Sequence, residues 1–141
     1  MRILVDTNVL LDVLAERENF FESSFKIFEL CQQEVVFGAV AAHSINNIVY
    51  ILRKNFSLAE IKQMLKRLFQ IFYIDALNYE KIFAAVEDDN FSDFEDCLQT
   101  QCAINFQADF IITRNVKDFK FSGIPAITPE DLCKLFEQGE N

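Results

Sequence analysis

Acidic and amide side chains lie at separate places in this sequence where they could act together on a phosphate. Asp6 directly follows the first apolar run, and Asp93 and Asp96 are three positions apart, so they share one face of a helix. Asn115 and Asp118 come just after a later apolar run. Carboxylates brought together repel one another unless a cation lies between them, and Mg²⁺ prefers such oxygen ligands. One or two bound ions could activate a water molecule and neutralise a scissile phosphate, so the set predicts metal-assisted hydrolysis.

Each acid also has a structural explanation. Asp6 can cap the helix that follows it, although Thr7 or Asn8 would serve as well. Asp93 can complement a helix dipole, and Asp96 can be a solvated surface residue. A phosphatase of the haloacid-dehalogenase type would need a second Asp two residues after Asp6, where this chain has Asn8. A receiver domain would need paired acids near the first strand and a Lys after a later strand, and neither is in place.

The elements that must position these residues alternate between strands and helices. Such alternation implies right-handed crossovers and a mostly parallel sheet covered on both faces, a three-layer α/β/α fold of four or five strands. Functional groups then collect beyond the carboxyl ends of the strands. Two helices open with capping boxes, Ser57 with Glu60 and Ser92 with Glu95. The predicted strands are 2–5, 34–38, 70–74, 109–113 and 125–127, and the predicted helices are 9–15, 20–31, 44–52, 57–69, 78–86, 92–106 and one from 128.

Composition and length predict one cytoplasmic domain over residues 1–141. Only 3 Gly and 2 Pro are present, so no flexible linker divides the chain. No apolar stretch approaches the roughly 20 residues needed to cross a bilayer, and the start lacks the pattern of a secretory signal. The 4 cysteines form no CxxC pair and are expected to be reduced core thiols.

The net charge of −9 is unusual for a protein that binds nucleic acid, but its distribution is uneven. Residues 53–67 carry five basic side chains and one acidic side chain, and residues 114–120 carry three and one. Such clusters are often only solvated helix faces. The candidates for contacts with RNA phosphates are Arg53, Lys54, Lys62, Lys66, Arg67, Arg114 and Lys117.

Three motifs, in order, resemble those of PIN-domain ribonucleases, including the VapC-type toxins. They are Val5-Asp6-Thr7-Asn8-Val9-Leu10-Leu11-Asp12, Asp93-Phe94-Glu95-Asp96-Cys97-Leu98 and Ile112-Thr113-Arg114-Asn115-Val116-Lys117-Asp118-Phe119. Ile127-Thr128-Pro129-Glu130 is similar to the ending of one PIN subgroup, so the resemblance extends over essentially the whole chain.

The resemblance implies an Mg²⁺ or Mn²⁺ site with Asp6 and Asp96 as principal ligands. Asn8 would position Asp6 or a water, Thr113 and Asn115 would hold the rim, and Asp93 or Asp118 would supply a further acid. The implied reaction is hydrolysis of RNA to a 3′-hydroxyl and a 5′-phosphate. The implied partners are an RNA substrate, an antitoxin protein whose segment covers the site, and a second copy of the chain in a dimer.

Asn47 departs from the resemblance, because PIN proteins usually have a Glu at the corresponding place on the helix after the second strand. An amide can accept a hydrogen bond or offer a carbonyl ligand, but it brings no negative charge. We therefore expect weaker metal affinity, and the alternative is a PIN-fold module that binds RNA or a partner without cleaving. The single His43 stands just before this helix and is expected to be ordinary packing or surface rather than a ligand.

Overall fold

A computed structural model describes residues 1–139, which form an α/β fold around one parallel sheet. The strands are β1 (Arg2–Val5), β2 (Phe37–Ala41), β3 (Tyr73–Asp75), β4 (Phe110–Ile112) and β5 (Ala126–Ile127). They pair in the order β3-β2-β1-β4-β5, and all four pairings are parallel. The helices are α1 (Thr7–Leu14), α2 (Phe21–Gln32), α3 (Ala42–Leu52), α4 (Leu58–Ile71), α5 (Tyr79–Glu87), α6 (Phe94–Asn105) and α7 (Pro129–Gly139).

Both faces of the sheet are buried because successive side chains of a strand point in opposite directions. Ile3 and Val5 belong to a large apolar cluster that includes residues of α1, α2, α3, α4 and α7. Leu4 belongs to a second cluster, which includes Cys102 and Ala103 of α6. Two helical layers with the sheet between them confirm the predicted α/β/α architecture.

The predicted second strand, 34–38, is wrong at both ends. After α2 the chain turns at Glu34, whose φ is +59°, and β2 begins only at Phe37. Gly38 was expected to end this strand, but it lies inside β2. A Cβ at Gly38 would come within 2.7 Å of the Phe72 ring, so the absent side chain permits close packing there.

The predicted third strand, 70–74, begins too early for a similar reason. The capping box of Ser57 and Glu60 starts α4 as expected, but the helix continues through Ile71. β3 is therefore short and begins at Tyr73. An apolar run such as residues 70–74 is compatible with either a helix or a strand, so the sequence alone does not fix where α4 ends and β3 begins.

The four cysteines are free thiols, three of them buried. No helix within residues 1–139 is long and apolar enough to cross a membrane. A short 3₁₀ helix at Val116–Phe119, which the sequence did not predict, follows β4 and carries Asp118. This turn brings Asn115 and Asp118, the last predicted site residues, towards Asp6 at the end of β1.

Candidate active site

The first acid of the site is fixed where β1 meets β4. The N–H of Asp6 donates to the carbonyl oxygen of Ile112 at 2.9 Å. Its carboxylate caps α1 by accepting from the N–H of Thr7 at 2.8 Å, and the hydroxyl of Thr113 donates to the other oxygen at 2.8 Å. Asp6 is only 7% exposed and both its oxygens accept from neutral donors. Thr113, expected at the rim, therefore orients Asp6 directly.

The start of α6 brings three more acids, Asp93, Glu95 and Asp96, to the same edge. The helix is capped by Asp93, whose carboxylate accepts from the N–H groups of Glu95 at 2.8 Å and Asp96 at 3.3 Å. The predicted capping box of Ser92 and Glu95 is therefore wrong by one residue. Asp93 is exposed and Asp96 is half-buried. Because Asp93 caps the helix, the side chains of Glu95 and Asp96 are left for other contacts.

These residues surround an open groove of about 420 Å³ at the carboxyl ends of the strands. A second groove of about 390 Å³, whose lining includes Arg2, Phe37 and Tyr73, contains none of the predicted site residues. The residues that line the first groove include the predicted Asp6, Asn8, Asn47, Asp93, Asp96, Asn115 and Asp118, together with Thr7, Leu11, Tyr50, Ile51 and Glu95.

The two central carboxyl groups hold their protons unusually tightly. Burial raises the pKa of Asp6 to about 6, although the hydrogen bonds from Thr113 and Thr7 oppose the change. Burial also raises the pKa of Asp96 to about 7, and the negative charges of Asp93 and Asp6 add to the rise. Raised pKa values of acids in a groove are typical of functional sites, where burial and neighbouring negative charges disfavour the ionised form.

A buried polar network fixes the walls of the groove relative to one another. The Thr7 hydroxyl donates to the Ser44 hydroxyl at 2.8 Å, which joins α1 to α3. The amide of Gln99 on α6 donates to Ser44 at 2.8 Å and approaches Thr7 at 3.3 Å. Sequence reasoning missed this network, since single polar residues inside helical patterns gave no signal that they would meet.

Asn47 lies in the groove and contacts an acid that sequence reasoning also missed. Its side-chain N–H donates to the Glu95 carboxylate at 3.0 Å, which links α3 to α6. The sequence-based interpretation used the Glu95 side chain in a capping box, and so left it out of the site. The signal available in the sequence was that Glu95 stands immediately before Asp96 in a chain that has Asn47 where the resemblance predicts Glu.

The predicted basic residues lie outside the groove. Lys62, Lys66 and Arg67 are exposed on α4, and Arg53 stacks on Tyr50 with 4.1 Å from the guanidinium carbon to the ring centre. Since Tyr50 lines the groove, Arg53 is the basic residue of this segment that borders it. Lys54 and Lys117 are also exposed.

Arg114 is half-buried and held by two contacts within the protein. Its Nε lies 2.9 Å from the buried carboxylate of Asp12, and its guanidinium covers the ring of Phe20 at 4.0 Å. Asp12 is also paired with Arg17 at 3.4 Å. This arrangement favours a structural role for Arg114 over the predicted phosphate contact. His43, whose pKa is lowered by burial, does not line the groove.

The donor set fits a hard divalent cation that keeps much of its water. No three His, Cys, Asp or Glu side chains in residues 1–139 are already grouped to hold a metal ion. Asp6 and Asp96 nevertheless bring carboxylate oxygens to one groove, and none of the described residues that line it is basic. Mg²⁺ is commonly bound through one or two carboxylates, with water and substrate phosphate completing the shell.

A sequence model described as "PIN domain" matches residues 2–117, and with that extent of match the chain belongs to the PIN-domain family. Ribonuclease VapC1 of Aquifex aeolicus (strain VF5) is 27% identical over 137 residues, which cover 94% of each protein. Several solved structures have a similar fold.

Two of these structures cover nearly the whole chain. VapBC2 from Rickettsia felis, bound to a DNA fragment from its promoter, has a TM-score of 0.70 at 17% identity and covers 91% of this chain and 98% of its own. A toxin-antitoxin complex from Klebsiella pneumoniae has a TM-score of 0.66 at 22% identity, covering 90% and 97%. At these identities the likeness concerns the fold.

Proposed function

We propose that this protein is a divalent-metal-dependent endoribonuclease and the toxin of a toxin–antitoxin pair. The observation that carries the proposal is that Asp6 and Asp96 line one groove in which no described lining residue is basic. Membership of the PIN family and similarity to a protein named as a ribonuclease support the reaction class.

In this proposal Asp6 and Asp96 hold Mg²⁺ or Mn²⁺. The bound ion would lower the pKa of a water and neutralise charge on the scissile phosphate of RNA. Thr113 keeps Asp6 in one orientation by donating to its carboxylate. Asn8, Asn115 and Asp118 line the same groove, which supports a role for them in holding water beside the ion. Asp93 contributes mainly as the cap that fixes the start of α6.

The proposed partners follow from the same groove and its surroundings. RNA would reach the acids past Arg53, which borders the groove through Tyr50. A basic segment of an antitoxin would be attracted to the acidic groove and would exclude RNA from it. The apolar residues Ile82, Phe83 and Val86, exposed along one side of α5, are available for contact with the antitoxin or with a second copy of the chain.

Cleavage of a labelled, mixed-sequence RNA tests the reaction. The purified protein is incubated with Mn²⁺ or Mg²⁺, with EDTA, and as the Asp96→Asn variant, and products are resolved by length. We expect cleavage that requires both the metal and Asp96, and fragments that end in a 3′-hydroxyl and a 5′-phosphate. Metal-independent cleavage, or equal cleavage by Asp96→Asn, would contradict the proposal.

Asn47 favours a second function, a PIN-fold module that binds RNA or a protein without cutting. The amide cannot carry the charge of the usual Glu, and its N–H is already bonded to Glu95. A folded, inhibitor-free protein that retains RNA in a binding assay but leaves it intact with Mn²⁺ would establish this alternative.

A further inference from the structure

Position 47 and position 95 form a pair across the groove. Asn47 lies on α3 and Glu95 is the second residue of α6, and the amide N–H of Asn47 reaches the Glu95 carboxylate at 3.0 Å. Both residues are half-buried and both line the groove that contains Asp6 and Asp96. A neutral amide and a carboxylate together carry the same single negative charge that a Glu at position 47 would carry alone.

Apart from Asn47, no side chain described in residues 1–139 pairs with Glu95 in a way that would account for its position. The start of α6 is capped by Asp93, so the Glu95 side chain is not needed there. Within residues 1–139 it forms no ion pair with a basic side chain. It lines the same groove as Asp6 and Asp96, so its charge lies beside theirs. Such an acid increases the negative potential of the groove without neutralising any cation of the protein.

We propose that Glu95 is the third carboxylate of the metal site, supplied from α6, and that Asn47 is the positioning residue that holds it towards the groove. This inference rests on the proposed metal-dependent function. Since no three acids within residues 1–139 are already grouped as direct ligands, Glu95 would act through a water bound to the ion. The Asn47 contact occupies one carboxylate oxygen and leaves the other for that water. Hydrogen bonding of this kind to a metal-bound group strengthens metal binding.

Titration of the RNA-free protein with Mn²⁺, following the signal of free Mn²⁺ by electron paramagnetic resonance, tests the assignment. Glu95→Gln keeps the size and the hydrogen bond to Asn47 but removes the charge. The matched control is Glu80→Gln, because Glu80 is the exposed second residue of α5 and lies outside the groove. We expect Glu95→Gln to weaken Mn²⁺ binding about 10-fold and Glu80→Gln to leave it unchanged.

Two further variants separate a metal role from a structural one. The exchange Asn47→Glu with Glu95→Gln returns the charge to α3 and should recover most of the lost affinity. Asn47→Ala should weaken binding in the wild-type background but add little to Glu95→Gln, because it acts only through Glu95. Melting curves in EDTA should be similar for all variants if the proteins remain folded.

The outcomes for Glu95 and for the proposed function are distinct. If the wild type binds Mn²⁺ and Glu95→Gln matches Glu80→Gln, the role of Glu95 is refuted while the metal site stands. If the exchange variant binds no better than Glu95→Gln, the idea that the two positions share one charge is refuted. A wild-type protein that binds no Mn²⁺ would overturn both this inference and the proposed metal-dependent reaction.

Discussion

Asp6 and Asp75 lie at the same edge of the sheet but have opposite surroundings. Asp6 follows β1 and Asp75 ends β3, and their exposed fractions are 7% and 0%. The carboxylate of Asp75 lies 2.6 Å from the Lys81 ammonium and accepts from Asn105 at 2.7 Å. Asp6 accepts only from neutral donors, and its pKa is raised to about 6. Position in the sheet alone therefore does not distinguish the two acids.

The difference shows which acid is available to an external cation. A buried carboxylate that already has an ammonium partner gains little from a metal ion and would lose its ion pair to bind one. Asp12 is of this kind too, since it is fully buried between Arg17 and Arg114. Asp6 and Asp96 retain an unbalanced charge, which a divalent cation would offset. Three predictions test this contrast.

The largest expected effect comes from breaking the internal pair. Asp75→Asn would leave the Lys81 ammonium, 8% exposed, with no carboxylate partner. We expect the free energy of unfolding to fall by about 3–5 kcal/mol in urea denaturation. Asp89→Asn, at an exposed acid, is the control and should change stability by less than about 0.5 kcal/mol. Equal stability of the two variants would mean that Lys81 does not depend on Asp75.

An intermediate effect should come from adding a cation to the unpaired acids. At a Mn²⁺ concentration of about 100 Kd, binding to the folded state should stabilise the wild type by roughly 2.7 kcal/mol. The same addition should stabilise Asp6→Ala much less, while that variant remains folded in EDTA. Thermal unfolding with and without Mn²⁺ measures both. An equal rise in the melting temperature of Asp6→Ala with Mn²⁺ would mean that the ion binds elsewhere. RNA cleavage by this variant at the wild-type rate would refute the proposed metal site.

The fold was largely predictable from sequence because its main signals are local. Apolar runs of suitable length predicted the strands, and helical spacing predicted the helices. The starts of β2 and β3 were misplaced, since whether Ile71 continues a helix or begins a strand depends on packing against other elements. Glu34 adopts a positive φ of +59° at the turn before β2, and no residue type in that segment predicts such a conformation.

The site was predictable only in part, because the remaining contacts join residues far apart in sequence. Asp6 and Asp96 could be nominated from their place at the ends of apolar elements. The hydrogen bond between Asn47 and Glu95 spans 48 positions, and no local pattern encodes it. The local sequence is compatible with a cap at Ser92, but the residue that caps α6 is Asp93, one position later. The sequence predicts an RNA contact for Arg114, whereas in the structure its guanidinium contacts Asp12, a pairing that no local pattern indicates.

The smallest effect, and the one that separates the two kinds of acid by pH, concerns Asp96. Its pKa is raised from 3.8 to about 7, so between these values the folded protein binds more protons than the unfolded chain. Stability therefore falls as pH rises through this range, and Asp96→Asn removes that loss. In EDTA the variant should be more stable than the wild type at pH 8 by roughly 1 kcal/mol after solvent screening, and by less at pH 5. Denaturation midpoints at the two pH values measure the difference, with Asp89→Asn as the control. If the stability difference between wild type and Asp96→Asn is the same at both pH values, ionisation of Asp96 does not destabilise the fold. Asp6 would then be the one acid of the groove that differs from Asp75 in this way.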